Sequence, residues 1–150
     1  HAKGDVIIGM DADFNHAPET IPLLLAQLKK ADLVIASRFI KGGGMEDKKR
    51  FFPTLLFNKF CVLIGFPNVD VTSGFYAVRK MVIDKVGLDK IYYGYGDYHL
   101  RLVYLAKKEG YIMRQVPTYY IKRQFGKSKS NLVQMGIRYT REAIRLATSV

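Results

Sequence analysis

The sequence predicts an α/β domain, and three observations predict it. Short apolar runs with strand character, Val6-Ile7-Ile8 and Leu33-Val34-Ile35-Ala36, flank a stretch whose leucines recur at helical spacing. The strand and helix signals go on alternating beyond that unit, which is the pattern of layered α/β architectures. The length, 150 residues with 49% hydrophobic side chains, suits one domain with a real core.

The first strand is read over 5–10. Pro18 and Glu19 open a helix to about residue 30, with Ile21, Leu24, Leu25 and Leu28 on its apolar face and Pro22 in its first turns. Residues 32–38 read as a second strand. The β-α-β unit so formed predicts parallel pairing. Residues 41–50 contain three consecutive glycines and many charges, and read as a mobile basic loop. An apolar helix follows over 53–64, then a turn-rich stretch at 68–74, a third strand over 75–79 and a short helix near 81–86. Tyr92-Tyr93-Gly94-Tyr95-Gly96 reads as a flexible aromatic loop. Asp97 is a good N-cap for a helix over 98–109 that Gly110 closes. Residues 111–123 read as extended and broken near Pro117. A second basic loop, 125–130, precedes a last helix from about 131, with Arg138, Arg141 and Arg145 on one face. That face suits either water or anionic lipid.

Composition narrows the function classes. Lys and Arg number 24 against 13 Asp and Glu, a net charge of +11 that favours polyanionic partners. No helix-turn-helix, zinc finger or RNP-like signature supports nucleic acid. No apolar run is long enough to span a bilayer. The single Cys61 lies among Phe60, Val62, Leu63 and Ile64 and reads as a buried structural thiol.

The most informative motif ends the first strand: Asp11-Ala12-Asp13-Phe14-Asn15-His16. Alternate side chains of an extended segment point the same way, so Asp11, Asp13 and Asn15 offer three oxygen donors on one side. Oxygen donors suit Mg²⁺ or Mn²⁺, which complete their shells with substrate phosphates. Taken alone, Asp-x-Asp is more often a solvated strand end.

Several further pieces occur in a telling order: Gly4-Asp5-Val6-Ile7-Ile8, Asp11-Ala12-Asp13, Pro18-Glu19, Ser37-Arg38, Gly42-Gly43-Gly44, Asp70-Val71-Thr72-Ser73-Gly74-Phe75, Val116-Pro117, and Arg123 with Gly126-Lys127-Ser128-Lys129. Together they resemble the family 2 glycosyltransferases, and most of all the branch acting on dolichol or polyprenyl phosphate as mannosyltransferases. The resemblance implies the C-terminal part of a GT-A, Rossmann-like domain: a mixed sheet flanked by helices. It implies inverting, metal-dependent transfer of a sugar, mannose or glucose, from a GDP- or UDP-sugar to a lipid phosphate. It also implies a peripheral position at the cytoplasmic face of a membrane.

By the same resemblance, Asp11 and Asp13 match the metal-binding pair, with Asp13 central to catalysis. Asn15 stands where relatives carry another amide. Arg38 matches an arginine ending the second strand. Arg50 and Thr54 match residues near the acceptor phosphate, and Arg123 and Lys129 a late pair closing over the phosphates. Such cations stabilise the charge that grows on a leaving nucleoside diphosphate. Read singly, Arg38 is a surface ion pair and the lysines are solvated. A lipid phosphate is already largely ionised, with a second pKa of ~6, and needs no base. A sugar hydroxyl would need a carboxylate, for which Asp97 and Asp70 are the candidates. A glycan hydroxyl acceptor with Asp97 as base is therefore the alternative, and a non-catalytic basic module binding anionic membrane or nucleic acid is a further one. Family members carry more βα units ahead of the Asp-x-Asp strand. The expectation is thus a fragment or one piece of a split protein, with about four strands, an exposed sheet edge and weak nucleotide-sugar binding by itself.

Overall fold

The computed structural model describes residues 3–12, 15–94, 96–121 and 132–149. Its main sheet has four strands: β1 (Val6–Gly9), β2 (Leu33–Ser37), β4 (Tyr76–Arg79) and β5 (Met113–Pro117). They lie in the order β1-β4-β2-β5. A two-stranded sheet pairs β3 (Gly44–Met45) with β6 (Tyr119–Tyr120). The helices are α1 (Ile21–Leu28), α2 (Lys48–Leu63), α3 (Lys80–Val86), α4 (Leu88–Ile91), α5 (Tyr98–Lys108) and α6 (Leu132–Thr148).

The sheet is mixed. β4 runs antiparallel to both β1 and β2, whereas β2 and β5 are parallel. The parallel pairing predicted between the first two strands is therefore corrected. They point the same way, but β4 is inserted between them, with Ile7 opposite Val78 and Val34 opposite Ala77. A local β-α-β pattern sets strand direction; strand order depends on β4, which arrives from far along the chain.

β2 is buried along its whole length, as an apolar run covered on both faces must be. Its period of two divides the core. Leu33 and Ile35, with Tyr76 and Val78 of β4, join Cys61, Val82, Leu102, Val103 and Ala143 on one side. Val34 and Ala36, with Phe75 and Ala77, pack against Leu24 and Leu28 of α1 on the other. Burial pushes the Cys61 thiol up to about 12, so it is the structural thiol expected.

Other boundaries shift for physical reasons. A 3-10 turn at Pro18–Thr20 precedes α1, and Leu25 stays exposed because Leu24 and Leu28, one turn apart, take the inward face. The predicted loop at 41–50 is largely ordered structure. Gly44 and Met45 form β3, and Asp47 caps α2 by accepting the Lys49 and Arg50 N–H groups. That cap starts the helix upstream of Pro53, which lies inside it. α4 was not foreseen. Gly110, at φ +80°, follows α5 as predicted. Thr118 breaks the extended stretch into β5 and β6.

Candidate active site

Asp11 stands two residues past the end of β1, and its carboxylate is exposed. Its backbone N–H donates to His16 Nδ1 at 2.9 Å, and its Oδ2 lies 3.9 Å from His16 Nε2. The His16 ring is buried, stacked on Phe75 with centroids 4.9 Å apart and planes within 9°, and tilted against Tyr120 at 4.7 Å. Asn15, next to it, is half-buried. Asp13 lies outside the described residues, as do Arg123, Lys127 and Lys129.

The other face of this cluster is cationic. The Arg38 guanidinium stands 4.8 Å from the Tyr120 ring centroid, so Tyr120 touches both the Asp11–His16 corner and Arg38. Arg38 is buried rather than on the surface. Its Nε donates to Asp70 Oδ2 at 2.8 Å, its Nη2 to Oδ1 at 2.7 Å, and its backbone N–H to Oδ2. Nη2 also reaches the Thr72 hydroxyl. Burial opposes the charge of both partners, yet each meets its ion at bidentate geometry, which raises the Arg38 pKa and lowers that of Asp70. The expected surface ion pair is thus a buried fork. A phosphate could use Arg38 Nε or Nη2 only by displacing Asp70. Asp70, fully buried and committed to Arg38, is removed as a candidate base.

Asp97 occupies the N-cap position of α5 but makes no side-chain cap bond. Its buried carboxylate turns instead to two arginines. Oδ1 is 3.0 Å from Arg101 Nη2, an ion-pair distance without hydrogen-bond alignment, and Oδ2 accepts from Arg138 Nε at 3.3 Å. Fully buried Arg101 also donates to the carbonyls of Ile91 and Tyr93 and to Glu142 of α6. Tyr139 of α6 donates to the Gly96 carbonyl at 2.6 Å. The aromatic loop is therefore pinned on both sides. A cavity of about 640 Å³ opens here, lined by Tyr93, Asp97, Arg138, Arg141, Glu142 and Arg145 among others.

Arg50 and Thr54 share the N-terminal half of α2. Arg50 Nε lies 3.5 Å from Asp47, and the Thr54 hydroxyl donates back to the Arg50 carbonyl at 2.7 Å. In that rotamer the Thr54 proton is spent on its own helix.

Burial raises the phenols of Tyr98 and Tyr139, each to about 12, and that of Tyr120, with smaller contributions from nearby carboxylates, Asp97 ahead of Asp11 at Tyr139, and Asp70 ahead of Asp11 at Tyr120. Those tyrosines come from α5, α6 and β6. Sequence reasoning missed His16, Tyr120 and Arg101; the signal available for His16 was its place five residues after Asp11. Among the described residues, no group of three His, Cys, Asp or Glu side chains is gathered for a metal. Asp11 itself is a hard, accessible oxygen donor, the type that Mg²⁺ or Mn²⁺ takes.

The mixed sheet is covered on both faces, and an exposed carboxylate stands just beyond its first strand, so the chain is an α/β domain. A solved structure of glucosyl-3-phosphoglycerate synthase from Mycobacterium tuberculosis, in complex with Mn²⁺, UDP-glucose and phosphoglyceric acid, superposes with a TM-score of 0.60. The match covers 99% of this chain and 50% of that one, at 16% identity. Residues 1–87 match the sequence profile of glycosyl transferase family 2, and the chain belongs to that family. The dolichol-phosphate mannosyltransferase of Pyrococcus furiosus is 40% identical over 98 residues, 60% of this chain and 27% of the relative. The undecaprenyl-phosphate mannosyltransferase of Micrococcus luteus is 33% identical over 131 residues, 83% of this chain and 53% of the relative. The polyprenol monophosphomannose synthase of Mycolicibacterium smegmatis is 31% identical over 128 residues, 83% and 48%. The chain thus spans about half the length, or less, of these relatives.

Proposed function

We propose that the chain supplies metal- and phosphate-handling residues of an inverting glycosyltransferase that moves a hexosyl group, mannose or glucose, from a GDP- or UDP-sugar to a polyprenyl or dolichyl phosphate. The names of the relatives point to a lipid-phosphate acceptor. The observation that carries the choice here is the state of Asp97. Both carboxylate oxygens face guanidinium groups, and the residue is buried, so neither oxygen stands open to take a proton from a sugar hydroxyl. A lipid phosphate arrives ionised and needs no such base.

In this reading a phosphate oxygen of the acceptor forms a bond to the anomeric carbon. The bond from that carbon to the diphosphate breaks, and the nucleoside diphosphate leaves with the electron pair. Asp11, with Asp13 and Asn15, would hold Mg²⁺ or Mn²⁺, which supplies charge neutralisation for the diphosphate. Arg50, on the surface of α2 and half-exposed, is assigned to the acceptor phosphate on the sequence pattern, and its exposure supports that assignment. Arg123 and Lys129 are assigned to the donor phosphates on the sequence pattern. Arg38 acts from beneath, holding the Asp70 turn and the Tyr120 face.

A membrane surface agrees with α2. Phe52, Leu56 and Leu63 are exposed by 65%, 70% and 85% on one helical face, beside exposed Lys48, Lys49 and Lys59. Among the described residues no helix is long and apolar enough to cross a membrane.

The test is transfer of labelled sugar from a nucleotide-sugar to polyprenyl phosphate, read as label entering the organic phase, with the complete gene product. Asp11→Ala is expected to abolish transfer, whereas Asp97→Asn retains it within about tenfold. Loss of about 10²-fold or more in Asp97→Asn, with label passing instead to a water-soluble glycan, would establish the hydroxyl-acceptor reading.

A further inference from the structure

We propose that His16 is a positioning residue for Asp11, fixing the direction in which its carboxylate is offered to a divalent cation. The proposal rests on the metal reading above. A solvated strand end has no need of a buried ring behind it, yet His16 is 2% exposed and clamped between Phe75 and Tyr120. Those two aromatics are themselves buried, just before β4 and in β6, so the ring is seated by segments remote in sequence.

The clamped ring grips Asp11 at a defined place. Nδ1 accepts the Asp11 backbone N–H at 2.9 Å, so it carries no proton, and the ring proton sits on Nε2. Nε2 lies 3.9 Å from Asp11 Oδ2, on the carboxylate side. One imidazole therefore restrains the residue through its main chain, with Nε2 near the carboxylate but not hydrogen-bonded to it. Groups that orient a metal ligand commonly change metal affinity by about 10–100-fold when removed.

The shape of the contact makes it separable from packing. Phenylalanine keeps the stacked ring but has no acceptor. Asparagine places its amide oxygen where Nδ1 stands, whereas glutamine places it near Nε2. Mn²⁺ affinity, read by electron paramagnetic resonance of the free ion, and thermal unfolding are to be measured on the same samples without substrate. The expected result is that His16→Phe weakens Mn²⁺ binding by about tenfold or more, that His16→Asn recovers most of it, and that His16→Gln does not. Equal Mn²⁺ affinity in wild type and His16→Phe, whatever the change in melting temperature, overturns the proposal. Should His16→Phe fail to unfold cooperatively, equal affinities for the Asn and Gln variants overturn it instead. A wild-type chain that binds no Mn²⁺ defeats the metal reading itself, a different failure from a bound ion indifferent to His16.

Discussion

At the scale of single residues, the site rests on buried ionisable groups whose partners are remote. Arg38 and Asp70 are 32 residues apart, and Asp97 and Arg138 are 41 apart. Sequence patterns marked these residues as chemically interesting but did not pair them, because pairing depends on where β2, the 70–74 turn and α6 meet. His99 carries the clearest consequence. Burial pushes it down from 6.5 to about 4, against the pull of Asp70, and its Nδ1 is buried with no hydrogen-bond partner among the described residues. The folded protein thus resists a proton that the unfolded chain accepts at 6.5. Stability is full above that value and falls as pH drops through the window from 6.5 to about 4. Between about pH 7 and pH 5 the loss should be about 2 kcal/mol. Glu142 does not confuse this window. Hydrogen bonds from Arg145, Tyr93 and Arg101 overcome burial and bring its carboxyl from 4.5 down to about 2, so its contribution is lost only below 4.5. Urea unfolding at the two pH values, on wild type and His99→Phe, checks the prediction. The wild type should lose stability on acidification, and the variant should lose much less. Parallel behaviour of the two would refute it.

At the scale of elements, what was legible was whatever a local pattern determines. β2, α1, α5 and the break between β5 and β6 follow from apolar runs, helical spacing and turn residues close at hand. The Gly42-Gly43-Gly44 segment shows why the rest was not. Three glycines read as mobility, but Gly42 takes a positive φ of +89° and the next two answer a tertiary demand. A Cβ at Gly43 would stand 2.5 Å from the Ser37 carbonyl oxygen and 3.0 Å from the Arg38 backbone, and at Gly44 2.8 Å from the Tyr119 ring. The chain must pass close behind the end of β2 for β3 to reach β6, and only knowledge of that path reveals the need. Gly43→Ala is expected to destabilise by ~1–3 kcal/mol, because the atoms met are backbone and have no rotamer to yield. Gly136, within α6, is the contrast: among the described residues nothing lies within 4 Å of its added Cβ, so Gly136→Ala should stabilise by roughly 1 kcal/mol. Denaturant midpoints of the two variants should move in opposite directions. A shift in the same direction would mean that close approach does not explain Gly43.

At the scale of the whole molecule, charge and exposed apolar surface decide where the domain works. A net charge of +11 alone does not separate anionic lipid from nucleic acid. The placement of apolar groups gives the two partners different expected behaviour. Leu56 and Leu63 are seven residues apart on α2, with Phe52 one turn before them, and exposed Lys59 on the same face can reach past them with its charge. α6 adds exposed Val133, Ile137 and Ile144 beside its arginines. A phosphate backbone rewards the cations and is indifferent to the leucines, whereas a bilayer rewards both. Each cation near an anionic surface contributes about 1 kcal/mol, and each buried methylene a further ~0.8 kcal/mol. Binding should therefore be strong to vesicles containing phosphatidylserine and weak to neutral ones. It should fall in ~1 M salt, where the screening length shrinks to about 3 Å. Leu56→Glu with Leu63→Glu should reduce vesicle co-sedimentation by tenfold or more while leaving the salt-sensitive affinity for duplex DNA almost unchanged. A double variant that loses DNA and vesicle binding equally would show that the leucines support the fold. Unchanged vesicle binding would show that α2 does not meet the membrane, and with it the placing of Arg50 at a lipid phosphate would fall.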